Sequence, residues 1–138
     1  MTGREKAEGK ERVSRILRFR DYRWDSVEPK TYKDPDSRWS NVIRHGLMGA
    51  DTDAAFHVRY FEVWPGGYTT HERHRHEHVV VAIRGSGEVR LENKWEPIGF
   101  GDVVYVSPNA PHQFRAAGDE PFGFLCIVDA ERDRPVPI

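Results

Sequence analysis

The stretch HVVVAIRGSGEVRLENKWEPIGFGDVVYVSPNAPHQFRAAGDEPFGFLCIVDA, residues 78–130, decides the fold. It is a series of short runs rich in β-branched and aromatic residues, cut by Gly, Pro, Asn and Asp. HVVVAIRG leads into Gly85-Ser86-Gly87, which reads as a hairpin turn. EVRLEN turns at Asn93-Lys94 into WEPIGF, and Gly101-Asp102 precedes VVYV. Residues 107–111 read as a loop before HQFRA, and Gly118-Asp119-Glu120-Pro121 turns into FGFLCIVDA. Upstream, FHVRYFEV (56–63) alternates loosely and is broken by Pro65-Gly66-Gly67. Turn signals every 8 to 12 residues or so mean a sandwich or barrel, so the fold class is all-β. No window carries convincing helical periodicity. At most a turn or two of helix is expected near the N-terminus.

Around this core lie less regular segments. Residues 1–14 mix Lys, Arg and Glu with glycine and read as a flexible, solvated arm. Residues 15–138 read as one domain, with its barrel core at about 56–128. Residues 15–48 hold short apolar runs (Ile16-Leu17, Val42-Ile43) among turn residues such as Asp34-Pro35-Asp36-Ser37. They predict irregular structure with short strands closing one end of a barrel.

Net charge is −1 and pI about 6.7, which gives no electrostatic case for nucleic acid or an anionic membrane. Charged residues make up 31 % of the chain and the mean hydropathy is −0.72. No run approaches the roughly 18 apolar residues of a membrane span. The N-terminus MTGREKAEGKERVSR has no apolar signal region. Cys126 is the single cysteine, so no internal disulfide can form. The expectation is a soluble cytoplasmic protein.

Five of the seven histidines fall between residues 71 and 112. The run His71-Glu72-Arg73-His74-Arg75-His76-Glu77-His78 leads straight into an apolar strand. Imidazole suits Mn, Fe, Ni, Cu and Zn, and carboxylate favours the harder of these. Residues two apart on a strand point the same way, about 6.7 Å apart. His74, His76 and His78 on a straight strand would span about 13 Å. Metal bonds near 2.1 Å cannot bridge that. One neighbouring pair should therefore bind, followed by a bulge and a third ligand entering the strand. Glu72 and His74, a bulge at 75–77, and His78 fit this best. His76 is the alternative to Glu72, and His71 has the wrong parity.

This segment resembles the two motifs of the cupin superfamily. Anchored on Gly85, from which six residues separate it, His78 takes the usual glutamate position, with His74 and Glu72 before it. Relative to the common pattern, the first His has become Glu and the Glu has become His. The second motif is matched by Gly101-Asp102, Pro108, Pro111 and His112, and His112 takes the place of the family's last histidine ligand. The chain is also similar to small manganese cupins with His-rich sites, through Arg59 to Val63, Pro65-Gly66-Gly67 and Phe124 to Ile127. The resemblance implies a single cupin (double-stranded β-helix or jelly-roll) barrel holding one divalent transition metal on Glu72, His74, His78 and His112. It favours Mn or Fe, with Zn, Ni or Cu acceptable, and it implies a homodimer.

Four protein ligands leave neighbouring positions open on an octahedral ion. The leading expectation is thus a metal-dependent, dioxygenase-like oxidoreductase acting on a small organic substrate. The alternatives are a Lewis-acid isomerase or lyase of a sugar or keto acid, and a non-enzymatic small-ligand or metal-binding module. Arg59 is the candidate for orienting an anionic substrate. Phe114, Phe124 and Cys126 share inward parity and are candidates to line the pocket, with Gln113 pointing away. Trp39, Trp64 and Trp95 read as packing or interface residues.

Overall fold

The computed structural model describes residues 14–31 and 38–138. Residues 1–13 of the charged arm and the turn Asp34-Pro35-Asp36-Ser37 lie outside them. The described residues form thirteen strands and no helix. Most belong to one eleven-stranded antiparallel sheet that curls into two facing layers.

The first layer is built on β4 (Ser40–Met48), β5 (Phe56–Tyr68), β12 (Phe122–Asp129), β7 (His78–Arg84) and β10 (Val103–Val106), in that order. Short β3 (Lys30–Thr31) pairs with β4 at the outer edge. The second layer is β9 (Lys94–Gly99), β8 (Ser86–Leu91), β11 (His112–Ala116), β6 (Glu72–Arg73) and β13 (Val136–Pro137). The layers are joined where Arg115 of β11 pairs with Tyr68 at the end of β5. This is the all-β barrel that the alternating runs imply.

Inward residues of both layers make the core: Val42, Val63, Val80, Ala82, Val89, Val104, Val106, Phe114, Phe122, Phe124, Cys126 and Val128. Phe114 stacks on Phe124 at 4.7 Å, and Phe122 leans on Phe124 at 5.3 Å. Burial of each large side chain is worth roughly 1.5–3 kcal/mol. The core fills one end of the barrel. At the other end the inward positions turn polar, with Arg44, Arg59, His78 and His112 on the same faces as Val42, Phe61, Val80 and Phe114.

Two turn readings are corrected. Pro65-Gly66-Gly67 does not end its strand, because β5 runs on to Tyr68. Val63 pairs with Val42 and Tyr68 with Ser40, so residues 64–67 bulge against the single intervening residue Asn41. Gly66 at φ +80° and Asn41 at φ +54° absorb the distortion. Nor is Gly85-Ser86-Gly87 a hairpin. β7 pairs with β10 and β12, while β8 pairs with β9 and β11, so the chain crosses there from one layer to the other. Gly85 sits at φ +62° against the Pro121 carbonyl, and a side chain at Gly87 would collide with the Phe122 ring. The glycines serve close packing of the crossover on β12.

The outward face of β4 and β5 is also covered. A small hairpin of β1 (Phe19–Arg20) and β2 (Arg23–Trp24) lays Tyr22 and Trp24 over Tyr60 and His45. Beneath it Glu62 is fully buried. Tyr60 Oη donates to Glu62 Oε2 at 3.1 Å, Trp64 Nε1 donates to Oε1 at 3.0 Å, and Arg84 donates to Oε2 at 2.8 Å.

Candidate metal centre

His78 is the first residue of β7 and His112 the first of β11. His74 lies in the bend between β6 and β7. Each has a ring nitrogen within 4.8 Å of those of the other two, and all three side chains are buried. The residues between His74 and His78 leave the strand path, as the spacing argument requires. Of the residues read as ligands, these three converge. Glu72 stands beside them: its Oε2 is 4.0 Å from His74 Nε2, and it pairs in register with His112.

Hydrogen bonds set the tautomers. His74 Nδ1 donates to the His76 carbonyl at 2.7 Å, and His112 Nδ1 donates to the Ala110 carbonyl at 2.8 Å. A carbonyl can only accept, so the proton is on Nδ1 and the Nε2 lone pair is left for a ligand. His78 Nδ1 lies 3.1 Å from Cys126 Sγ. Its Nε2 is buried without a hydrogen-bond partner among the described residues. A buried polar atom without a partner costs about 1–3 kcal/mol, and coordination to a cation would remove that cost. Two Nε2 lone pairs and a third, partnerless imidazole nitrogen fit a divalent metal that prefers imidazole.

Electrostatics point the same way. Burial, helped by His112 and His74, pushes His78 down to about 2. Burial lowers His112 to about 4, against a small upward pull from the Ala110 carbonyl. Both rings are neutral, as a metal ligand must be. Burial pushes the Glu72 carboxyl up to about 7, with Arg59 opposing.

A stability prediction follows for the metal-free protein. His45, His78 and His112 all have ionisation lowered by burial, whereas unfolded histidine ionises near about 6.5. Below that value the unfolded chain binds more protons than the folded one, so stability falls with falling pH. Glu72 acts in the opposite sense between its ordinary range and about 7. Three histidines outweigh one carboxyl. The urea midpoint of chelator-treated protein is expected to be lower at about pH 5 than at about pH 7. An equal or higher midpoint at the lower pH would contradict the burial of neutral imidazoles.

The alternative ligand, His76, stacks face to face on His74 at 3.7 Å, outside the converging set. Its Nδ1 bonds Asp133 Oδ1 at 2.9 Å, and the same carboxylate accepts from the backbone N–H of Arg75 and His76. Asp133 thus clamps the metal loop from the C-terminal segment, whose β13 pairs with β6. Nothing in the sequence singled it out, because it acts on residues 57 and 58 positions away.

The histidines line a cavity of about 410 Å³. Arg59, Phe114, Phe124 and Cys126 line it, as do Trp39 and Glu72. Gln113 points away and donates to the Thr69 carbonyl at 2.9 Å. Trp64 caps Glu62 on the outer face, and Trp95 lies under the Arg115 guanidinium at 3.7 Å. Sequence reading missed Arg44 and Arg132, both in the cavity wall. Arg44 shares the parity of Val42 on β4, a signal that was present. Arg132 follows the last long strand and carries none.

An antiparallel barrel with histidines from the starts of two strands and the preceding loop is the cupin arrangement. The cupin domain profile matches residues 59–128, and the chain belongs to that family. It is 38 % identical over 114 residues to 1-methylthio-D-xylulose 5-phosphate methylsulfurylase of Rhodospirillum rubrum, covering 83 % of this chain and 73 % of that one. A cupin 2 conserved barrel domain protein from Rhodopseudomonas palustris superposes with TM-score 0.78 at 42 % identity, over 83 % of this chain and 79 % of that one. Glucose-6-phosphate isomerase of Pyrococcus abyssi is 39 % identical over 66 residues, 44 % of this chain. That match spans only 35 % of the isomerase.

Proposed function

We propose that this chain is a mononuclear metal-dependent enzyme using Lewis-acid chemistry on a small hydroxy-ketone, with Mn or Fe held by His74, His78, His112 and Glu72. The observation that carries the metal reading is the buried Nε2 of His78, partnerless beside two further imidazoles whose Nδ1 protons are already committed. One carboxylate among three imidazoles favours the harder divalent ions. A bound divalent ion supplies polarisation of a carbonyl or hydroxyl oxygen.

The remaining work belongs to the protein. Phe61, Phe114 and Phe124 make an apolar wall that excludes water from the reacting carbons. The Nδ1–H bonds of His74 and His112 hold their rings in place through catalysis. Enolisation passes the proton of a C–H bond next to the carbonyl to a solvent-derived base. The C–H electron pair becomes the carbon–carbon π bond, and the carbonyl π pair moves to oxygen, which takes the negative charge. Arg59, half-buried in the wall, orients the anionic part of the substrate.

Similarity to a methylsulfurylase of a ketose phosphate and, over a shorter stretch, to a sugar-phosphate isomerase supports this reading over the dioxygenase-like one. The open positions of a three-histidine, one-carboxylate site keep the oxidoreductase as the second reading. The reading includes a cytoplasmic homodimer, in keeping with exposed Phe100, Val103 and Tyr105 around the β10 edge.

The test is deuterium exchange from solvent into xylulose 5-phosphate under anaerobic conditions. Mn-loaded protein is expected to exchange the carbon-bound hydrogen next to the carbonyl, and Zn-loaded protein to retain activity. Absence of exchange, with metal-dependent O₂ uptake on a panel of small acids and diketones, would favour the oxidoreductase.

A further inference from the structure

The cavity has a second pole. Arg59 on β5, Arg44 on the neighbouring β4, and Arg132 just past β12 all line it. Among the described residues that line the cavity, these three arginines accompany the single carboxylate Glu72. Arg59 lies 5.1 Å over the Phe61 ring, and its NH2 donates to Cys126 Sγ at 3.3 Å. Its Nε is buried and has no hydrogen-bond partner among the described residues. Arg132 is held at the rim, where NH1 donates to the Asp129 carbonyl at 2.8 Å and to His57 Nδ1 at 3.0 Å. Burial, then the fields of Arg59 and Arg44, lowers the ionisation of Arg132. Like charges gathered against an apolar wall repel one another, and a dianion between them reverses the sign of that interaction.

We infer that Arg44, Arg59 and Arg132 form an anion subsite that grips the phosphate-monoester end of the substrate while its hydroxy-ketone end faces His74, His78 and His112. The inference rests on the Lewis-acid reading for the identity of the second end, and it deepens that reading by naming what selects the substrate. Guanidinium is suited to the task, because its planar fork matches two phosphate oxygens at once. The cavity of about 410 Å³ is within the range that encloses a small phosphorylated molecule. Arg59 also links the two poles. Cys126 Sγ receives its NH2 and stands 3.1 Å from His78 Nδ1, so one hydrogen-bonded chain fixes the anion end relative to the histidines. Arg59 is accordingly the residue that sets the length of substrate that fits.

Binding of inorganic phosphate, followed by calorimetry and by ³¹P NMR on the full chain, tests this. It is measured on chelator-treated and on Mn-loaded wild type, on Arg44→Gln and Arg132→Gln, and on the charge-preserving Arg44→Lys and Arg132→Lys. Chelator-treated wild type is expected to bind phosphate, more weakly as salt rises. Acetate at equal concentration is expected not to displace it. Each Gln variant is expected to bind at least ten-fold more weakly while keeping the wild-type circular-dichroism spectrum, and each Lys variant to fall between. No phosphate binding to chelator-treated wild type would overturn the subsite, as would full affinity in both Gln variants. Phosphate binding in a protein that takes up no metal would sink the Lewis-acid reading and leave the subsite standing. Metal uptake with no arginine-dependent phosphate binding would do the reverse.

Discussion

His78→Ala is expected to lower the affinity for Mn or Fe by at least about 100-fold and to abolish metal-dependent turnover. Removing a residue that merely orients a ligand costs about 10–100-fold, and loss of a ligand exceeds that. His78 is the residue for which the effect should be largest. Its Nε2 is buried and partnerless, so the site is organised around a ring nitrogen that no neighbouring group satisfies. Its ring lies 4.9 Å from that of His74 and 4.8 Å from that of His112, so it forms one corner of the converging set. The apo fold should survive, because alanine at the start of β7 keeps the backbone pairing with Val106 and Val128. Alanine also removes an unsatisfied buried atom. A titration of metal-free protein with Mn, read by electron paramagnetic resonance of the free ion, measures the loss. Wild-type affinity in the mutant would mean that the metal lies elsewhere.

Glu62→Ala should have the largest effect on stability. Its carboxylate is fully buried and receives Tyr60, Trp64 and Arg84, with Arg23 at 3.7 Å. Taking it away leaves the buried Tyr60 hydroxyl and a half-buried guanidinium without their anion. Breaking a buried pair from one side costs about 3–5 kcal/mol. For a chain of this size that is a fall in melting temperature of roughly 10 °C or more. The loss spreads to the N-terminal hairpin, since Arg84 also lies 4.4 Å over the Tyr22 ring. Metal stoichiometry should be unchanged at low temperature, because Glu62 points away from the cavity. A shift of less than about 2 °C would show that the network contributes little to stability.

These two residues mark what could and could not be read from the sequence. The His-rich run declares itself, since imidazoles at alternate positions entering an apolar strand have few other uses. Strand parity then places Phe114, Phe124 and Cys126 on the inner face where the structure has them. Glu62 was not legible. Alternation along FHVRYFEV puts it on the face opposite Phe61, which for a barrel strand reads as solvent. It is buried because residues 19–24 fold back over that face, a tertiary event without a local signal. The misread glycines have the same cause. Gly66 and Gly85 carry turn-like dihedrals, but strand pairing many residues away decides whether such a residue closes a hairpin, opens a bulge or crosses between layers. Arg132 and Asp133 reach the site only because the chain returns past β12 to pair with β6.

The central claim is that the three converging histidines hold one metal ion per chain. Metal content by inductively coupled plasma mass spectrometry tests it most directly, on tag-free wild type and His78→Ala purified side by side. About one equivalent of Mn or Fe in the wild type, absent from the mutant, is the expected result. Equal metal in both proteins, or none in either after reconstitution, would contradict it.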